Sequence, residues 1–280
     1  MQKIESISAM STIAEEWRVA GKRVAWVPTS GALHAGHVSL IRRARESADI
    51  VVVSVFVNPL QFGPSEDFAK YPRNPIGDSA VATQEGVDAL FAPTAEEMFP
   101  KGFSSHVAED AVSKPLCGIT RPQFFRGVLT CWLKIYHVVR PGILLMGEKE
   151  AQLVAVVRKF AADLLLPLEI IEVPVVRDAD GLPVSARNAY LTPTQREEAL
   201  AVYRAILTAK EMVDGGVKSA DRLVAEVTHI LAEKRRLRVI YISVVDRSTM
   251  ELLREISPGQ CLMAIAYWVD EVRLTDNHAL

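Results

Sequence analysis

Two histidines three residues apart, His34 and His37, close the segment Pro28-Thr29-Ser30-Gly31-Ala32-Leu33-His34-Ala35-Gly36-His37. The segment follows a short β-rich run at 23–27. It opens a helical pattern in which Val38, Ile41, Ala44 and Ala48 recur at three- and four-residue steps. A turn of small residues at the carboxyl end of a parallel strand is where open α/β sheets bind ligands. Free amides at the start of the following helix, and the helix dipole, favour a phosphate there. Two imidazoles flanking that phosphate would stabilise negative charge as a phosphoanhydride breaks. The same pair also allows a metal-ligating reading, although no third ligand has matching spacing, and a reading as ordinary surface histidines. A Walker loop is excluded, because no Gly-Lys-Ser/Thr follows.

Three further segments carry groups suited to the same chemistry. Phe56-Val57-Asn58-Pro59-Leu60-Gln61-Phe62-Gly63 ends a second strand, and its amides at Asn58 and Gln61 suit the hydroxyl or carboxylate groups of a small polar substrate. Plain turn chemistry explains Asn-Pro and Phe-Gly equally well. In Met146-Gly147-Glu148-Lys149-Glu150, Gly147 ends a strand and Lys149 opens a helix, which places an ammonium near a second phosphate-friendly terminus. An exposed first-turn lysine is the alternative. Leu153, one turn on from Lys149, is expected on the same face. Finally, Ser185 and Arg187, within a stretch from Val176 to Leu191, offer a hydroxyl and a guanidinium for phosphate oxyanions where two domains are expected to join. A polar linker is the alternative there.

The elements that must position these groups alternate in the first half of the chain. The run at 49–56 is dominated by apolar residues, as in a strand buried on both faces. Helical patterns at about 75–85, 128–139 and 149–165 alternate with short strands at 87–91, 143–146 and 168–173. The expectation is a mostly parallel sheet built from β-α-β units. After Asn188 the pattern changes. Thr192-Pro193 opens a long helix to about Met212, Gly215-Gly216 breaks it, and an amphipathic helix covers about 219–234. Strands follow at 239–245 and 262–267. The fold class is therefore α/β, with a Rossmann-like parallel-sheet domain over 1–175 and a smaller α+β domain over 176–280.

Composition sets limits on the rest. Across 280 residues, 32 Lys+Arg stand against 34 Asp+Glu, and 49% of residues are hydrophobic. This excludes a disordered chain and gives no sign of nucleic-acid or membrane binding. Cys117, Cys131 and Cys261 are odd in number and lack C-x-x-C spacing, which argues against a disulfide framework and for a reducing compartment. The apolar run at 50–57 is far short of the roughly 20 residues of a spanning helix, and Glu5, Glu15 and Glu16 interrupt any signal-peptide core. A cytoplasmic location is expected.

Taken together, the segments resemble the pantoate–β-alanine ligase (pantothenate synthetase) family of the nucleotidylyltransferase superfamily. The resemblance runs from Val27 to Asn277 and includes Glu66-Asp67-Phe68, Tyr71-Pro72-Arg73, Arg121-Pro122, Phe125-Arg126-Gly127 and Arg273-Leu274-Thr275-Asp276-Asn277. It implies pantothenate biosynthesis by an AMP-forming ligase. A carboxylate, pantoate, is activated with ATP as an acyl adenylate and passed to an amine, β-alanine. It also implies a homodimer of N-terminal domains, to which the apolar strand at 50–57 would contribute, and a C-terminal domain that acts as a lid. Catalytic roles pass to His34, His37, Lys149, Ser185 and Arg187. ATP contacts pass to these residues and to Pro28, Thr29, Ser30, Gly36, Gly147, Glu150, Val176, Val184 and Ala186. The acid and amine pass to Ser30, Asn58, Gln61, Phe124, Lys134 and Leu153. No protein metal ligands are implied, since Mg²⁺ can be held through the phosphates.

This chain departs from the family pattern at identifiable places. Ser30 stands for Met, Ala35 for Glu, Gln123-Phe124 for Gly-His, Glu150 for the Asp at the ribose, Ala151 for an aromatic residue, Leu153 for a Gln that clamps the acid, and Ala186 for the second Ser of Ser-Ser-Arg-Asn. The nucleotide set is mostly kept, while the acid pocket changes at Ser30 and Leu153. Each hydrogen bond lost there is worth about 0.5–1.5 kcal/mol. Three other readings fit the departures: a paralogue joining a different acid or amine, a nucleotidylyltransferase that stops at the adenylate, and a homologue that only binds nucleotide.

Overall fold

A long apolar strand must be covered on both faces, and the first half of the chain is arranged around two such strands. The structure is a computed structural model that describes residues 1–64 and 66–280. In chain order its elements begin with β1 (Gln2–Ile4), α1 (Ile7–Val19), β2 (Val24–Thr29), α2 (Ala35–Ser47), β3 (Ile50–Val55), α3 (Pro75–Gln84) and β4 (Ala89–Phe91). There follow α4 (Ala95–Met98), α5 (Cys117–Thr120), α6 (Phe124–Val139), β5 (Ile143–Gly147), α7 (Ala151–Asp163) and β6 (Glu169–Val173). The remainder comprises α8 (Pro193–Asp214), α9 (Ala220–Ala232), β7 (Leu237–Asp246), β8 (Cys261–Val269) and β9 (Val272–Ala279). The chain forms two compact units, Met1–Ser113 with Arg121–Pro174, and Lys114–Thr120 with Val175–Leu280.

In the first unit the described strands make one sheet in the order β1-β4-β3-β2-β5-β6, with every pairing parallel. Val51, Val52 and Val53 of β3 are fully buried, each worth about 1.5–3 kcal/mol of transfer free energy. Alternation along β2 sorts the two layers. Ala25 and Val27 pack with Leu40, Ile41 and Ala44 of α2. Trp26 turns the other way, meets Trp132 of α6 edge-on at 5.5 Å, and donates its indole N–H to Ser54 Oγ at 2.9 Å. The sheet is thus a three-layer α/β arrangement whose strand ends all point one way.

Several differences from the sequence reading have physical reasons. β3 lies between β2 and β4 with its side chains inside the unit, so it provides no surface for a dimer. Lys149 does not open an α-helix. It sits in a single 3-10 turn, Glu148–Glu150, and the α-helix starts at Ala151, so a continuous helical turn from Lys149 to Leu153 is absent. β1, α1 and β9 have no counterpart in the periodicity. Helix α6 starts four residues before the expected position.

The second unit packs α8 and α9 against the antiparallel sheet β7-β8-β9. Ala199, Val202, Ile206, Leu223 and Val227 meet Met263, Ile265 and Tyr267 in one core. α8 starts on a capping box in which Thr192 and Gln195 each receive the other's backbone N–H, with Pro193 in the first turn. The segment Lys114–Thr120 folds with this unit rather than with the residues around it. Cys117 explains the attachment: its Sγ lies 3.2 Å from Tyr241 Oη and accepts from Arg273 Nη2 at 3.5 Å.

Inside this unit Asp276 is nearly sealed from solvent and pairs with Arg177 through two bonds of 2.8 Å. The guanidinium also lies 4.0 Å from the Tyr203 ring centroid and donates to Gly181 O. Removing one partner leaves the other charge buried and uncompensated. Asp276→Ala is therefore expected to lower unfolding free energy by about 3 kcal/mol, read as the shift in urea midpoint at constant slope; a loss within experimental error would show that the pair does not hold the sheet to its loop.

Candidate active site

The site begins where β2 runs out. Thr29 Oγ1 donates to Ser54 O at 2.9 Å and accepts from Gly31 N, which ties the loop to β3. Ala32 and Leu33 give their amides to Asp78, and the chain then enters α2 through His34. His34 is the N-cap: its Nδ1 accepts from Gly36 N at 3.2 Å, while His37 Nδ1 accepts from His34 N at 3.3 Å. This is a capping box made with imidazoles in place of Ser/Thr and Glu. The rings lie 4.0 Å apart at 33°.

These bonds dictate protonation. A nitrogen that accepts an N–H bond carries no proton, so each ring is neutral with its hydrogen on Nε2. His37 is held further from protonation chiefly by burial, and also by repulsion from Lys149 and from the charge His34 would carry if it took up a proton; together these push its pKa from 6.5 down to about 3. Lys149 follows the end of β5, the strand beside β2, and is near enough to His37 for its charge to oppose protonation there. The structure thus brings together three of the five expected catalytic residues at one edge of the sheet. Pro28 and Thr29 are the last residues of β2, Ser30 follows them, and Gly147 ends β5, the neighbouring strand. Glu150 is half exposed and lies 3.3 Å from Lys149 Nζ.

The second loop is organised from within. Asn58 is buried and caps the 3-10 turn Pro59–Gln61, accepting from Leu60 N at 3.1 Å. Its amide donates to Gly127 O at 3.0 Å and to Gln61 Oε1 at 3.3 Å. Asn58 therefore serves the turn directly. Because Gln61 Oε1 is an acceptor here, its NH₂ is the group of that amide suited to a carboxylate or hydroxyl ligand. Gly127 admits no larger residue, since a Cβ would come within 2.2 Å of Leu60 O.

Two residues from the resembling segments, given no role by the sequence, complete this loop. Arg121 pairs with Glu66, with Nη2 2.7 Å from Oε2, and donates to Gln61 O at 3.1 Å. Its guanidinium lies 3.9 Å from the ring centroid of Phe124. Glu66 in turn accepts from Gly63 N at 3.1 Å. Lys134 donates to the Met98 carbonyl and faces the Phe99 and Phe103 rings at 5.2 and 4.7 Å. Desolvation in that enclosure lowers its pKa. Leu153 is buried, and its neighbour Gln152 donates to Val112 O.

Ser185, Arg187, Val176, Val184 and Ala186 belong to the second unit. Val184 N donates to Val176 O at 3.0 Å, closing a narrow loop, and Ser185 Oγ accepts from Arg187 N at 3.3 Å to cap the 3-10 turn Ala186–Tyr190. Among the described residues, no group of three or more His, Cys, Asp or Glu is placed to hold a metal ion.

A parallel sheet that delivers a histidine-capped helix start and a lysine-bearing strand end to one edge defines an α/β nucleotide-binding protein. The family model described as pantoate-beta-alanine ligase matches residues 2–279. A pantothenate synthetase of Heliobacterium modesticaldum is 45% identical over 277 residues, 99% of this chain and 98% of its own length. One from Thermotoga neapolitana is 43% identical over the full length of both chains. The crystal structure of pantothenate synthetase from Thermus thermophilus superposes with TM-score 0.93 at 37% identity, covering 100% of this chain and 99% of that one. A pantoate-beta-alanine ligase structure from Francisella tularensis, complexed with beta-gamma ATP and beta-alanine, gives TM-score 0.82 at 29% identity over 100% and 97%. The chain belongs to the pantoate–β-alanine ligase family.

The folded pKa of His37 lies below its unfolded value, so the unfolded chain binds the extra proton first. Stability held by the neutral ring is complete above about pH 6.5 and drains away as the pH falls toward 3. At about pH 5, ¹⁵N ring shifts are expected to show His37 neutral with the proton on Nε2, whereas an unperturbed histidine is mostly charged. An imidazolium signature at that pH would mean the cap is not formed.

Proposed function

We propose that this protein is an ATP-dependent, AMP-forming ligase that joins pantoate to β-alanine and yields pantothenate. A pantoate carboxylate oxygen attacks the α-phosphorus of ATP, the α–β anhydride bond breaks, and pyrophosphate leaves. The β-alanine nitrogen then attacks the acyl carbon of the adenylate, AMP leaves, and the amine gives up a proton. The observation that carries this reading is the reciprocally capped histidine pair at the start of α2, in a chain of this family.

In this reading the two Nε2–H groups, the positive end of the α2 dipole and Lys149 face the phosphates. They supply positive potential where negative charge collects, without donating a full proton. Pro28, Thr29, Ser30, Gly36, Gly147 and Glu150 line the rest of the nucleotide. The Gln61 NH₂ holds the acid, with Asn58 and Phe124 fixing its loop, and Lys134 and Leu153 complete the acid and amine contacts. For Ser185 and Arg187, and for Val176, Val184 and Ala186 beside them, the family resemblance alone carries the assignment. The donors assigned to the phosphates are neutral or cationic and none is a carboxylate, so Mg²⁺ would be held by the nucleotide and would supply further neutralisation of its charge. A homodimer and a cytoplasmic location belong to the same reading. The first rests on the family alone; the second is supported by Cys117, Cys131 and Cys261 forming no disulfide.

ATP–pyrophosphate exchange is expected to depend on pantoate, and AMP release on β-alanine. AMP released at full rate without amine would mark an enzyme that stops at the adenylate, and exchange with a more apolar acid but not with pantoate would mark a paralogue. His34→Ala or His37→Ala is expected to cut exchange by about 10²–10³-fold, as for loss of an oxyanion donor; near-normal exchange in both would remove the histidines from the chemistry. Leu153→Gln with Ser30→Met is expected to raise pantoate-dependent exchange by about tenfold, or 1.4 kcal/mol. A double variant no better than wild type would show that these two positions do not limit the acid.

A further inference from the structure

Asp78 is buried to 2% exposure, yet neither the sequence nor the reading above gives it a task. Its two oxygens each take one backbone amide of the loop between β2 and α2. Oδ1 accepts from Leu33 N at 2.7 Å and Oδ2 from Ala32 N at 3.1 Å. The carboxylate comes from the first turn of α3, where the helix dipole favours a negative charge. α3 is itself anchored by the Asn74 cap and Pro75.

The loop it holds is not one the chain adopts without help. Gly31 has φ +82° and Ala32 φ +52°, two consecutive left-handed residues, and alanine enters that region only at a cost. A Cβ on Gly31 would stand 3.0 Å from Asp78 Oδ2 and 3.1 Å from Val55 Cγ1, so the carboxylate and β3 close on the loop together. Directly after these residues comes His34, whose ring caps α2. The direction in which the loop delivers residue 34 therefore sets where both rings point. A carboxylate is an acceptor at both oxygens and suits two amides at once. An amide side chain of the same shape would turn an NH₂ against one of them, donor against donor.

Building on the assignment of His34 and His37 to the nucleotide, we propose that Asp78 is a positioning residue for adenylate formation. Its carboxylate fixes the loop 31–33 and, through it, the direction in which the two histidines present their Nε2–H groups to the phosphates. It touches no substrate. Its effect belongs to the rate of the exchange step rather than to capture of the acid, because the groups assigned to the acid lie mainly on other loops.

Two variants test this in the full-length protein: Asp78→Asn, which opposes a donor to one amide, and Gly31→Ala, which presses on the same carboxylate from the loop side. Two quantities are read for each, the ¹⁵N ring shifts of His34 and His37 without ligand, and the kinetics of pantoate-dependent ATP–pyrophosphate exchange. The expected result is loss of the Nδ1-acceptor, Nε2–H signature, with kcat for exchange reduced by about tenfold or more and KM for pantoate within about threefold of wild type. Wild-type ring shifts and wild-type kcat in folded variants, whatever their melting temperatures, would overturn the proposal and leave Asp78 as a residue of the fold alone. If Asp78→Asn does not fold, Gly31→Ala decides by the same two readings. If wild type itself shows no exchange with pantoate, the functional reading fails, and the ring shifts alone then support or overturn the role of Asp78.

Discussion

An imidazole nitrogen that accepts a hydrogen bond from a helix amide cannot carry a proton, and the nucleotide edge of this protein is built around that constraint. His34 and His37 each use Nδ1 to satisfy a backbone donor at the start of α2. The helix thereby gains its cap, both rings become neutral, and both remaining N–H groups sit on the opposite nitrogen. Burial and the nearby ammonium of Lys149 work in the same direction. Local structure and site chemistry are here one set of bonds, so neither can change without the other. The rest of the edge follows from keeping that set in place: a strand that ends on Thr29, a loop tied to β3, and a buried carboxylate under Ala32 and Leu33.

The loop from Asn58 to Gly63 is organised on a different principle. Here the polar side chains mainly satisfy one another. Asn58 bonds Gly127 and Gln61, Arg121 bonds Glu66 and the Gln61 carbonyl, and Glu66 bonds Gly63. Such a network holds the backbone of the loop from several sides. Of the chain's departures from its family, Phe124 lies against the Arg121 guanidinium of this network, whereas Leu153 and Ser30 do not take part in its bonds.

What the sequence disclosed depended on how local the physics was. β3 was legible because five of its six residues are Ile or Val, and α8 because Thr192, Pro193 and Gln195 cap it within one turn. The histidine loop was legible because small residues, a cap and a helix follow one another directly. β1 was not, since three residues carry no periodicity and their strand exists only through pairing with β4. β9 was hidden by Asp276, which sits inward where alternation calls for an apolar residue, and is matched by Arg177 from 99 positions away. Asp78 gave no signal for the same reason: its partners are amides 45 and 46 residues earlier, and amides leave no mark on a sequence. Asn58 showed the opposite case, a polar residue in a promising loop whose bonds are needed by the loop itself.

The placement of Lys114–Thr120 has a bearing on how this protein is divided or recombined. Because that segment folds with the second unit, the chain passes between the two units three times, after Ser113, after Thr120 and after Pro174. A fragment beginning at Val175 would carry the whole β7-β8-β9 sheet yet lack the residue whose sulfur meets Tyr241 and Arg273. Its partner fragment would keep a seven-residue tongue with no surface to lie on. Neither half is a self-sufficient module, and exchange of domains between relatives would have to carry that tongue along with the sheet it belongs to.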